Sequence, residues 1–567
     1  MFDTAVKDVG LDIPGADDPL AETVIDGPLP PAPAGKPSII RSSMVNSGLT
    51  LVSRILGFVR DLVVTAALGA SSTVAADAWN TALAFPNLFR RIFAEGAFAS
   101  AFVPAYSKSL AKDGEEVADV LAADAMATLA AATIVLTLVA ELAMPWLMFI
   151  INPGYAHDPA KFKLAVLLTQ ITMPYLPCMA IYAHLSGVLN ARGKFWVSAG
   201  APILLNVGTL VAVLPQHTAG SAAVAAAFGA LGAGVAQAAL LWWGVRKSGA
   251  RVDVRLPRLT PEIRGLIGLA IPGAIAASAT QINIFVSGIL ASQVNGARSW
   301  LAVADRLYQL PLGLVGVAIG VALLPRLSIA VQGGDKDDAQ GAMDEAIGLS
   351  MALTLPAAAA LIAMPFFLID ALFTRGQFHA VDARQTAQAL FFYGIGTPAF
   401  VLARILSPAF FARQDTRGPM RFALIAVATN IIVGVALFKV VGFQGIAAAT
   451  AIAAWLNIGL MLSSLMRRGL YEPAPDAVAR LAKVLSASMI LGVVMGLFSE
   501  LRPWYQPALL GRKEIALVVA LGVSVALYFG LLFAFRAITF AEIKAAVRRP
   551  PKVKAAAGAP DPGGDLL

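Results

Sequence analysis

Charged side chains stand inside segments of the chain that are otherwise apolar. The motif PNLFRRIFAEG at residues 86–96 places two arginines side by side in a sequence that is 58% hydrophobic. Eight such charges fall within apolar stretches: Arg54, Arg60, Asp61, Arg90, Arg91, Glu95, Asp305 and Arg306. An arginine or aspartate at the centre of a membrane helix costs about 2.5–3.5 kcal/mol, so the group must face protein or water and by default marks a functional site.

These charges have two interpretations. They could pair and lock helices together, and Arg91 with Glu95, four residues apart on one helix, fits that role. Arg60 beside Asp61 could equally be half of an interhelical pair. The arginines outnumber the carboxylates, however, so pairing cannot neutralise them all. Arginine stays charged and binds two oxygens at once, as recognition of phosphate or carboxylate requires, so the surplus predicts a large anionic cargo.

The spacing of the polar residues gathers them on helix faces. Asn87, Arg90 and Arg91 stand at positions i, i+3 and i+4, which places three polar side chains on one face of a helix. Arg54 and Asp61, seven residues apart, share a face of the preceding apolar segment. Two polar faces on neighbouring helices predict a polar cavity inside a bundle.

Composition defines the elements that must position these residues. Mean hydropathy is +0.74 and only 14% of the 567 residues are charged, which indicates an all-α integral membrane protein. A helix of about 20 residues crosses the hydrocarbon core. Hydropathy and loop signals predict fourteen spans, at residues 42–68, 77–107, 118–150, 162–191, 196–214, 221–244, 261–291, 297–328, 341–373, 384–412, 419–439, 443–466, 477–500 and 513–538.

The basic residues predict the orientation of these spans. An even number of spans leaves both termini on one side, and lysine and arginine concentrate in the loops on that side. The positive-inside rule therefore predicts cytoplasmic termini. The pI of about 9.5 follows from ordinary basic loops, and we expect no nucleic-acid partner because no nucleic-acid-binding fold surrounds them.

Three matches recur at one offset of 221 residues, without gaps. They relate residues 101–107 to 322–328, residues 185–192 to 406–413, and Trp79 to Trp300. Six spans separate the copies, so the repeats are parallel and related by an axis along the membrane normal, as in alternating-access transporters with two lobes. Spans 13 and 14 remain outside the repeat.

The predicted domains follow from the spans and the repeat. They are a disordered cytoplasmic tail (1–40), an N-lobe (41–245), a basic cytoplasmic linker (246–260), a C-lobe (261–468), the last two spans (469–540) and a basic cytoplasmic tail (541–567). The single cysteine, Cys178, excludes an intrachain disulfide, and the histidines are scattered. We therefore expect no metal and no cofactor.

Four stretches together resemble one family of transporters. They read SRILGFVRD, ADAWNTALAFPNLFRRIFAEGAFASAFVPAYS, ADRLYQLPLGLVGVAIGVALLPRLS and PAFFARQDTRGP. The chain is similar over about residues 40–540 to the MviN/MurJ-type lipid II flippases of the multidrug/oligosaccharidyl-lipid/polysaccharide (MOP) exporter superfamily. The block PNLFRRIFAEGAF is the most specific part of the resemblance.

The resemblance implies a fold and a function. The family has fourteen helices in two lobes around a cationic central cavity, with the last two helices forming a groove for the lipid tail. The implied cargo is lipid II, the undecaprenyl-pyrophosphoryl-linked disaccharide-pentapeptide, moved from the cytoplasmic to the periplasmic leaflet of the inner membrane for peptidoglycan synthesis. Membrane lipid and peptidoglycan-synthesis proteins are the other implied partners. The residues leave open whether the membrane potential or an ion gradient drives transport.

The resemblance also assigns site residues. The family's cavity arginines fall on Arg54, Arg60, Arg90 and Arg306, with Asp61, Asp77, Asn87, Arg91, Glu95 and Asp305 as polar neighbours. Gln309 is a departure, since some relatives carry a carboxylate there, and this puts in doubt a role for an acid in gating or ion coupling. Ala84, where some relatives are basic, leaves the cavity with one positive charge fewer.

Three other classes of protein fit the sequence less well. A related exporter of another lipid-linked saccharide or of drugs would share the two lobes, but an exporter of cationic drugs should offer acids to its cargo. A membrane-embedded enzyme acting on a prenyl phosphate would need clustered carboxylates or a nucleophile beside a base, and the sequence has neither. A scaffold protein without transport would not need surplus arginine inside the bundle.

Overall fold

The computed structural model describes residues 39–89 and 98–537, and every regular element in these ranges is helical. The predicted tails lie outside these ranges, except that the first helix already includes residues 39 and 40. The α-helices of the described ranges are α1 (Ile39–Leu68), α2 (Ala75–Phe89), α3 (Phe98–Lys112), α4 (Glu115–Ile151), α5 (Pro159–Thr172), α6 (Tyr175–Ala191), α7 (Phe195–Gly200), α8 (Pro202–Val213), α9 (Ala219–Lys247), α10 (Pro261–Ser292), α11 (Ala297–Pro311), α12 (Val317–Gln332), α13 (Lys336–Ala363), α14 (Pro365–Phe373), α15 (Ala380–Phe411), α16 (Arg417–Val441), α17 (Gln444–Arg467), α18 (Pro475–Glu500), α19 (Arg502–Tyr505) and α20 (Lys513–Ala534).

Side-chain caps begin several helices at loop residues between the apolar runs. Asp158 accepts hydrogen bonds of 3.1 Å from the backbone N–H groups of Ala160 and Lys161, and Pro159 takes the first position of α5. Thr260 caps α10 through its side-chain oxygen. Such caps satisfy N–H groups that have no partner within the helix. Polar residues and proline therefore fix where these helices begin.

Proline stands at breaks in several of the predicted spans, among them those before α8 and α14, which begin at Pro202 and Pro365. Pro174 lies between α5 and α6, and Pro311 ends α11, which continues as a π-helical turn (Leu312–Gly316) before α12. Proline has no N–H to donate, and its ring clashes with the preceding turn. In contrast, α15 runs unbroken through Pro398 and Pro408. Proline thus interrupts some of these spans and is accommodated in others.

The 221-residue repeat appears in the helix boundaries. Helices α4 and α13 begin at Glu115 and Lys336, positions that the offset relates. Trp79 and Trp300, also related by the offset, are both buried. Equivalent segments therefore begin and pack alike, as two lobes built from parallel repeats should. The domain boundaries stay predictions.

The helices that follow the repeat pack on the second lobe. In α18, Val484 and Leu491 are buried in an apolar core shared with α13, α14 and α15. In α20, Tyr528 donates a hydrogen bond of 2.6 Å to the Ala352 carbonyl oxygen of α13. The last two long helices are therefore attached to the C-lobe side of the bundle.

The described helices are those of a multi-pass membrane protein. Ten helices or helix pairs within residues 39–89 and 98–537 are long and apolar enough to cross a membrane. Helix α1 is also long enough, at 30 residues, but Arg54, Arg60 and Asp61 make it more polar. The predicted count of fourteen spans is consistent with this arrangement and stays a prediction.

Candidate functional site

The Asp61 carboxylate lies between two arginines that belong to different lobes. Nη2 of Arg60, the preceding residue on α1, lies 2.7 Å from Oδ1 of Asp61, and Nε of Arg306 on α11 lies 3.0 Å from Oδ2. These three residues are termed the Asp61 cluster. Arg306 keeps 48% of its side chain exposed. One carboxylate thus holds two guanidinium groups at the seam between the lobes, and the cluster keeps a net positive charge.

A cavity of about 70 Å³ adjoins the Asp61 cluster. Asn80 of the first lobe and Ser299 of the second line it, and the Asn80 amide donates a hydrogen bond of 3.2 Å to the Ser299 hydroxyl. Sites for drug-sized ligands enclose about 300–1,000 Å³. This cavity is therefore too small to enclose a large anion unless the lobes move apart.

Arg54 also reaches from the first lobe to the second. A Cβ atom built on Gly313, in the π-helical turn, would lie 2.5 Å from Nη1 of Arg54, so the guanidinium packs directly on the glycine backbone. Arg54 is exposed. It precedes Asp61 by two turns of α1 and shares its face. The structure therefore brings three of the four predicted cavity arginines, Arg54, Arg60 and Arg306, to one seam.

Asp305 has a neutral partner on its own helix. The side-chain amide of Gln309, one turn further along α11, donates a hydrogen bond to Oδ2 of Asp305. Gln309 is the residue that departs from the family pattern. In this chain, the position therefore supplies a hydrogen-bond donor to Asp305 instead of a second acid.

Arg404 is a cationic residue that the sequence analysis did not single out. It is exposed on α15, one turn beyond Phe400, whose ring packs 5.1 Å from the Tyr308 ring of α11. Residues four apart share a helix face, so Arg404 belongs to the face of α15 that packs on α11. Arg404 stands inside the apolar run FVLARILSP, so its sequence context is that of Arg54 and Arg306: a charge within an apolar segment.

Asn87 lines a second cavity, of about 170 Å³, between the lobes. Gln281 and Arg298 line it from the second lobe, and Arg298 donates a hydrogen bond to Oδ1 of Asn152. The sequence analysis also missed Arg298, because it lies at the first turn of a span, where arginine is ordinary. The structure makes it part of the interface between the lobes.

Arg90, Arg91 and Glu95 lie outside the described residues, between the end of α2 at Phe89 and the start of α3 at Phe98. Their positions in the cavity therefore stay predictions.

Asp77 is fully buried, and donors surround its carboxylate. Oδ2 accepts hydrogen bonds from Nζ of Lys161 at 3.0 Å and from the N–H of Gly296 at 2.9 Å. Oδ1 accepts from the N–H and the hydroxyl of Ser299, at 3.1 and 2.7 Å. Gly296 and Ser299 begin α11, so an acid of the first lobe caps a helix of the second. The structure places Asp77 in this contact between lobes and not in the Asp61 cluster, although its partner Ser299 also lines the cavity beside that cluster.

Further contacts join the lobes at the same end of the bundle. Asp382, at the start of α15, accepts hydrogen bonds from the N–H and the hydroxyl of Ser71 at 3.0 and 2.5 Å. The N–H of Gln377 donates to the Ala66 carbonyl oxygen at 2.8 Å. Together with the contacts of Asp77, this set is termed the sealed end. Charged and backbone groups of both lobes close the bundle there.

The lobes also touch at the opposite end. Ile263 and Leu266, near the start of α10, are buried in an apolar cluster with residues of α3, α4 and α6. The Asp61 cluster therefore lies between two contacts of the lobes.

Gly154→Ala is expected to weaken the sealed end. Gly154 follows α4, and its N–H donates a hydrogen bond of 3.3 Å to the Ser292 hydroxyl of the second lobe. A Cβ atom there would lie 2.6 Å from Cα of Gln293, so backbone must move. Overpacking of this kind costs about 1–3 kcal/mol. The melting temperature of the purified variant should fall below that of Gly220→Ala, whose Cβ meets open space. Equal melting temperatures would show that the contact tolerates the methyl group.

The site has the chemistry of anion recognition. Arg54 and Arg306 are exposed cations at the seam between the lobes, and each guanidinium offers forked donors to oxygen. Among residues 39–89 and 98–537, no three histidine, cysteine, aspartate or glutamate side chains gather as metal ligands.

Two helical lobes with guanidinium groups at their seam define a membrane transporter. The structure is similar to a solved lipid II flippase MurJ in an inward closed conformation, with a TM-score of 0.71 and 23% identity, covering 88% of this chain and 100% of that one. It is also similar to an inward-facing multidrug resistance MATE transporter of the MOP superfamily, with a TM-score of 0.60 and 15% identity, covering 76% of this chain and 98% of that one.

The family follows from the sequence comparisons. The model of the lipid II flippase MurJ family matches residues 64–512. A probable lipid II flippase MurJ of Rhizobium meliloti is 38% identical over 90% of this chain and 97% of its own length. The lipid II flippase MurJ of Burkholderia cenocepacia is 32% identical over 88% of this chain and 97% of its own. The chain belongs to the lipid II flippase MurJ family, which confirms the resemblance found in the sequence.

Proposed function

We propose that this protein moves lipid II from the cytoplasmic to the periplasmic leaflet of the inner membrane. The observation that carries the proposal is the Asp61 cluster, where guanidinium groups of both lobes meet around one carboxylate. A pyrophosphate bound there contacts both lobes at once. Membership of the lipid II flippase family supports the choice of cargo.

The proposed mechanism is alternating access. The cavities at the seam, of about 70 and 170 Å³, are far smaller than a disaccharide-pentapeptide headgroup. The lobes must therefore part to admit the headgroup on one side and part again to release it on the other. The positive-inside rule assigns the termini to the cytoplasm, and this orientation makes the sealed end periplasmic.

The arginines supply the binding energy in this mechanism. Nε of Arg306 binds Asp61, so the terminal nitrogens of its exposed guanidinium remain available to phosphate oxygens. Arg54, exposed beside Gly313, offers the phosphate a second guanidinium group with paired N–H donors. Hydrogen bonds between charged groups are about twice as strong as neutral ones and offset the dehydration of the pyrophosphate. Arg90, and Arg91 beside it, complete the predicted set.

The prenyl tail stays in lipid while the headgroup crosses. We assign its groove to α18 and α20, which pack outside the repeat on the second lobe. In this proposal the protein is a transporter and catalyses no covalent step. Its partners are lipid II, membrane lipid and proteins of peptidoglycan synthesis, and nucleic acid is not among them.

A depletion experiment tests the proposed function. The chain replaces the flippase of a host strain, and lipid II accessible from the periplasm is assayed. We expect the wild-type chain to restore it. Failure by a chain that is folded and inserted in the membrane would refute lipid II as cargo and leave export of another lipid-linked saccharide to be tested.

Arg90→Ala is expected to abolish that rescue at equal abundance, and Arg90→Lys to restore little of it. Lysine keeps the charge but is a point donor, so it cannot grip two phosphate oxygens at once. Lys108→Ala, which removes an exposed cation of α3 in the same lobe, is the matched control and should rescue fully. Full transport by Arg90→Ala would remove this residue from the site.

A further inference from the structure

A groove of about 580 Å³ opens on the outside of the first lobe, away from the Asp61 cluster. Its walls come from α4, α6, α9 and the segment after α9, and alanines, among them Ala130, Ala131, Ala238 and Ala239, alternate with larger apolar side chains. It is termed the alanine groove. A narrow apolar channel of this size on a surface that faces lipid has room for part of a hydrocarbon chain.

The internal repeat allows the groove face of the first lobe to be compared with the equivalent face of the second. By the 221-residue offset, α4, α6 and α9 correspond to α13, α15 and α17. In the second lobe, α18 lies over that face, where Leu481 packs on the core that contains Met351 and Ile458. On the first lobe, Ile134 and Val235 of the groove are 46% and 54% exposed. In a membrane protein, the bilayer covers apolar side chains that are exposed on this face.

Two charged groups at one end of the groove are incompletely paired. Arg255 lines the groove, and its Nη1 lies 3.9 Å from Oδ1 of Asp124, beyond hydrogen-bond distance. That carboxylate oxygen is buried and has no hydrogen-bond partner among the described residues. A buried acceptor without a donor is costly. Asp124 lies beside Arg255 and not on the groove wall, and 11% of its side chain stays exposed, so a headgroup at this end of the groove meets one cation next to an incompletely paired carboxylate.

The segment that carries Arg255 has the character of a membrane interface. Asp119, in the first turns of α4, fixes this segment by accepting a hydrogen bond of 2.6 Å from the N–H of Arg251. Val254 and Leu256, on either side of Arg255, are 80% and 81% exposed. Apolar side chains beside arginine are typical of segments at the depth of lipid headgroups. Arg255 therefore stands where a phospholipid phosphate would be.

We propose that the alanine groove binds one phosphatidylethanolamine molecule, with an acyl chain along the alanines, the phosphate on Arg255 and the ammonium group on Asp124. The charges of the site and of this headgroup are complementary, cation to phosphate and carboxylate to ammonium. Phosphatidylglycerol offers the same phosphate and acyl chains but no ammonium group. The inference concerns a site remote from the arginines of the seam and is independent of the proposed cargo.

Native mass spectrometry of the full-length protein, exposed to equimolar phosphatidylethanolamine and phosphatidylglycerol, tests the headgroup assignment. We expect one phosphatidylethanolamine to be retained in preference. Asp124→Asn, which removes the charge at nearly constant shape, should lower the preference about tenfold. Arg255→Ala should weaken retention of both lipids, whereas Arg258→Ala, an arginine of the same segment outside the groove, should not. Equal retention of the two lipids by the wild type would overturn the proposal.

A second pair of variants tests the groove itself. Ala238→Phe fills the groove and should remove the retained lipid, whereas Ala236→Phe, exposed on the same helix outside the groove, should keep it. Retention by Ala238→Phe would refute the site. Undecaprenyl phosphate is added in a competing arm, and its preferential retention would overturn the proposal by identifying a prenyl site. Transport is not the readout, so failure here is distinct from failure of the proposed cargo.

Discussion

Arg306→Ala is expected to stop translocation of lipid II while the protein stays folded. Arg306 is the member of the Asp61 cluster with the most exposed side chain, and only its Nε is engaged by Asp61. Alanine removes two charge-assisted hydrogen bonds to the pyrophosphate, each worth about 1.5–3 kcal/mol. The initial rate of transport in proteoliposomes should fall about a hundredfold or more. Asp61 keeps Arg60 as a partner, so the variant buries no unpaired acid.

Arg326→Ala is the matched control for this experiment. Arg326 is exposed to almost the same extent, 49%, and pairs with Asp338 and Glu345 at the surface. Exposed pairs of this kind contribute about 0–1 kcal/mol, so transport should stay near the wild-type rate. If both variants lose transport equally, the effect comes from a general loss of charge. If Arg306→Ala transports normally, the Asp61 cluster is a structural ion pair and binds no cargo.

Asp77→Asn is expected to open the sealed end. Lys161 is buried and has Asp77 as its charge partner, so the amide leaves an uncompensated ammonium group inside the protein. Removing one partner of a buried ion pair costs about 3–5 kcal/mol. Asparagine also places a donor where both carboxylate oxygens accept hydrogen bonds from α11. Water reaches Lys161 when the lobes part, so this cost falls on the closed arrangement, and the equilibrium should shift toward arrangements in which the lobes are apart at this end.

Cysteine labelling measures that shift. Asn80→Cys, in a Cys178→Ser background, reports the cavity behind the sealed end. A maleimide that cannot cross the membrane, applied from outside, should label it at least about tenfold faster with Asp77→Asn. Ser299→Ala loses the hydroxyl's hydrogen bond to the Asp77 carboxylate, worth about 1.5–3 kcal/mol, but keeps the ion pair of Asp77 with Lys161, so it should have a smaller effect. Unchanged labelling in both variants would show that these contacts do not hold the lobes together.

The arginines of the seam could be predicted from sequence because their signal is local. A charge inside an apolar helix needs explanation wherever the helix packs, so Arg54, Arg60 and Arg306 stood out without knowledge of the fold. The repeat places α1 and α11 in different lobes, but the meeting of Arg60 and Arg306 at Asp61 was not predicted. The distances within the cluster depend on how the lobes meet and required the structure.

The roles of Asp77 and Asp382 could not be predicted in the same way. Each stands in the first turn of a helix, where an acid is ordinary. What distinguishes them is a partner far away in sequence, Ser299 for Asp77 and Ser71 for Asp382. Helix periodicity and hydropathy carry no information about such contacts. The unpaired oxygen of Asp124 beside the alanine groove was hidden for the same reason, because Arg255 lies on a separate segment.

The free energy needed to open the sealed end depends on which lobe each of its interacting groups belongs to. Asp77 and Lys161 both belong to the first lobe, whereas the N–H groups of Gly296 and Ser299 belong to the second. When the lobes part, the ion pair stays together and only neutral groups leave it: the donors on Asp77, and the Asn295 side-chain oxygen that accepts a hydrogen bond of 2.6 Å from Lys161. Water can replace these groups, so neither charge loses its charged partner. The sealed end can thus open and close again in every transport cycle while the ion pair of Asp77 and Lys161 stays intact.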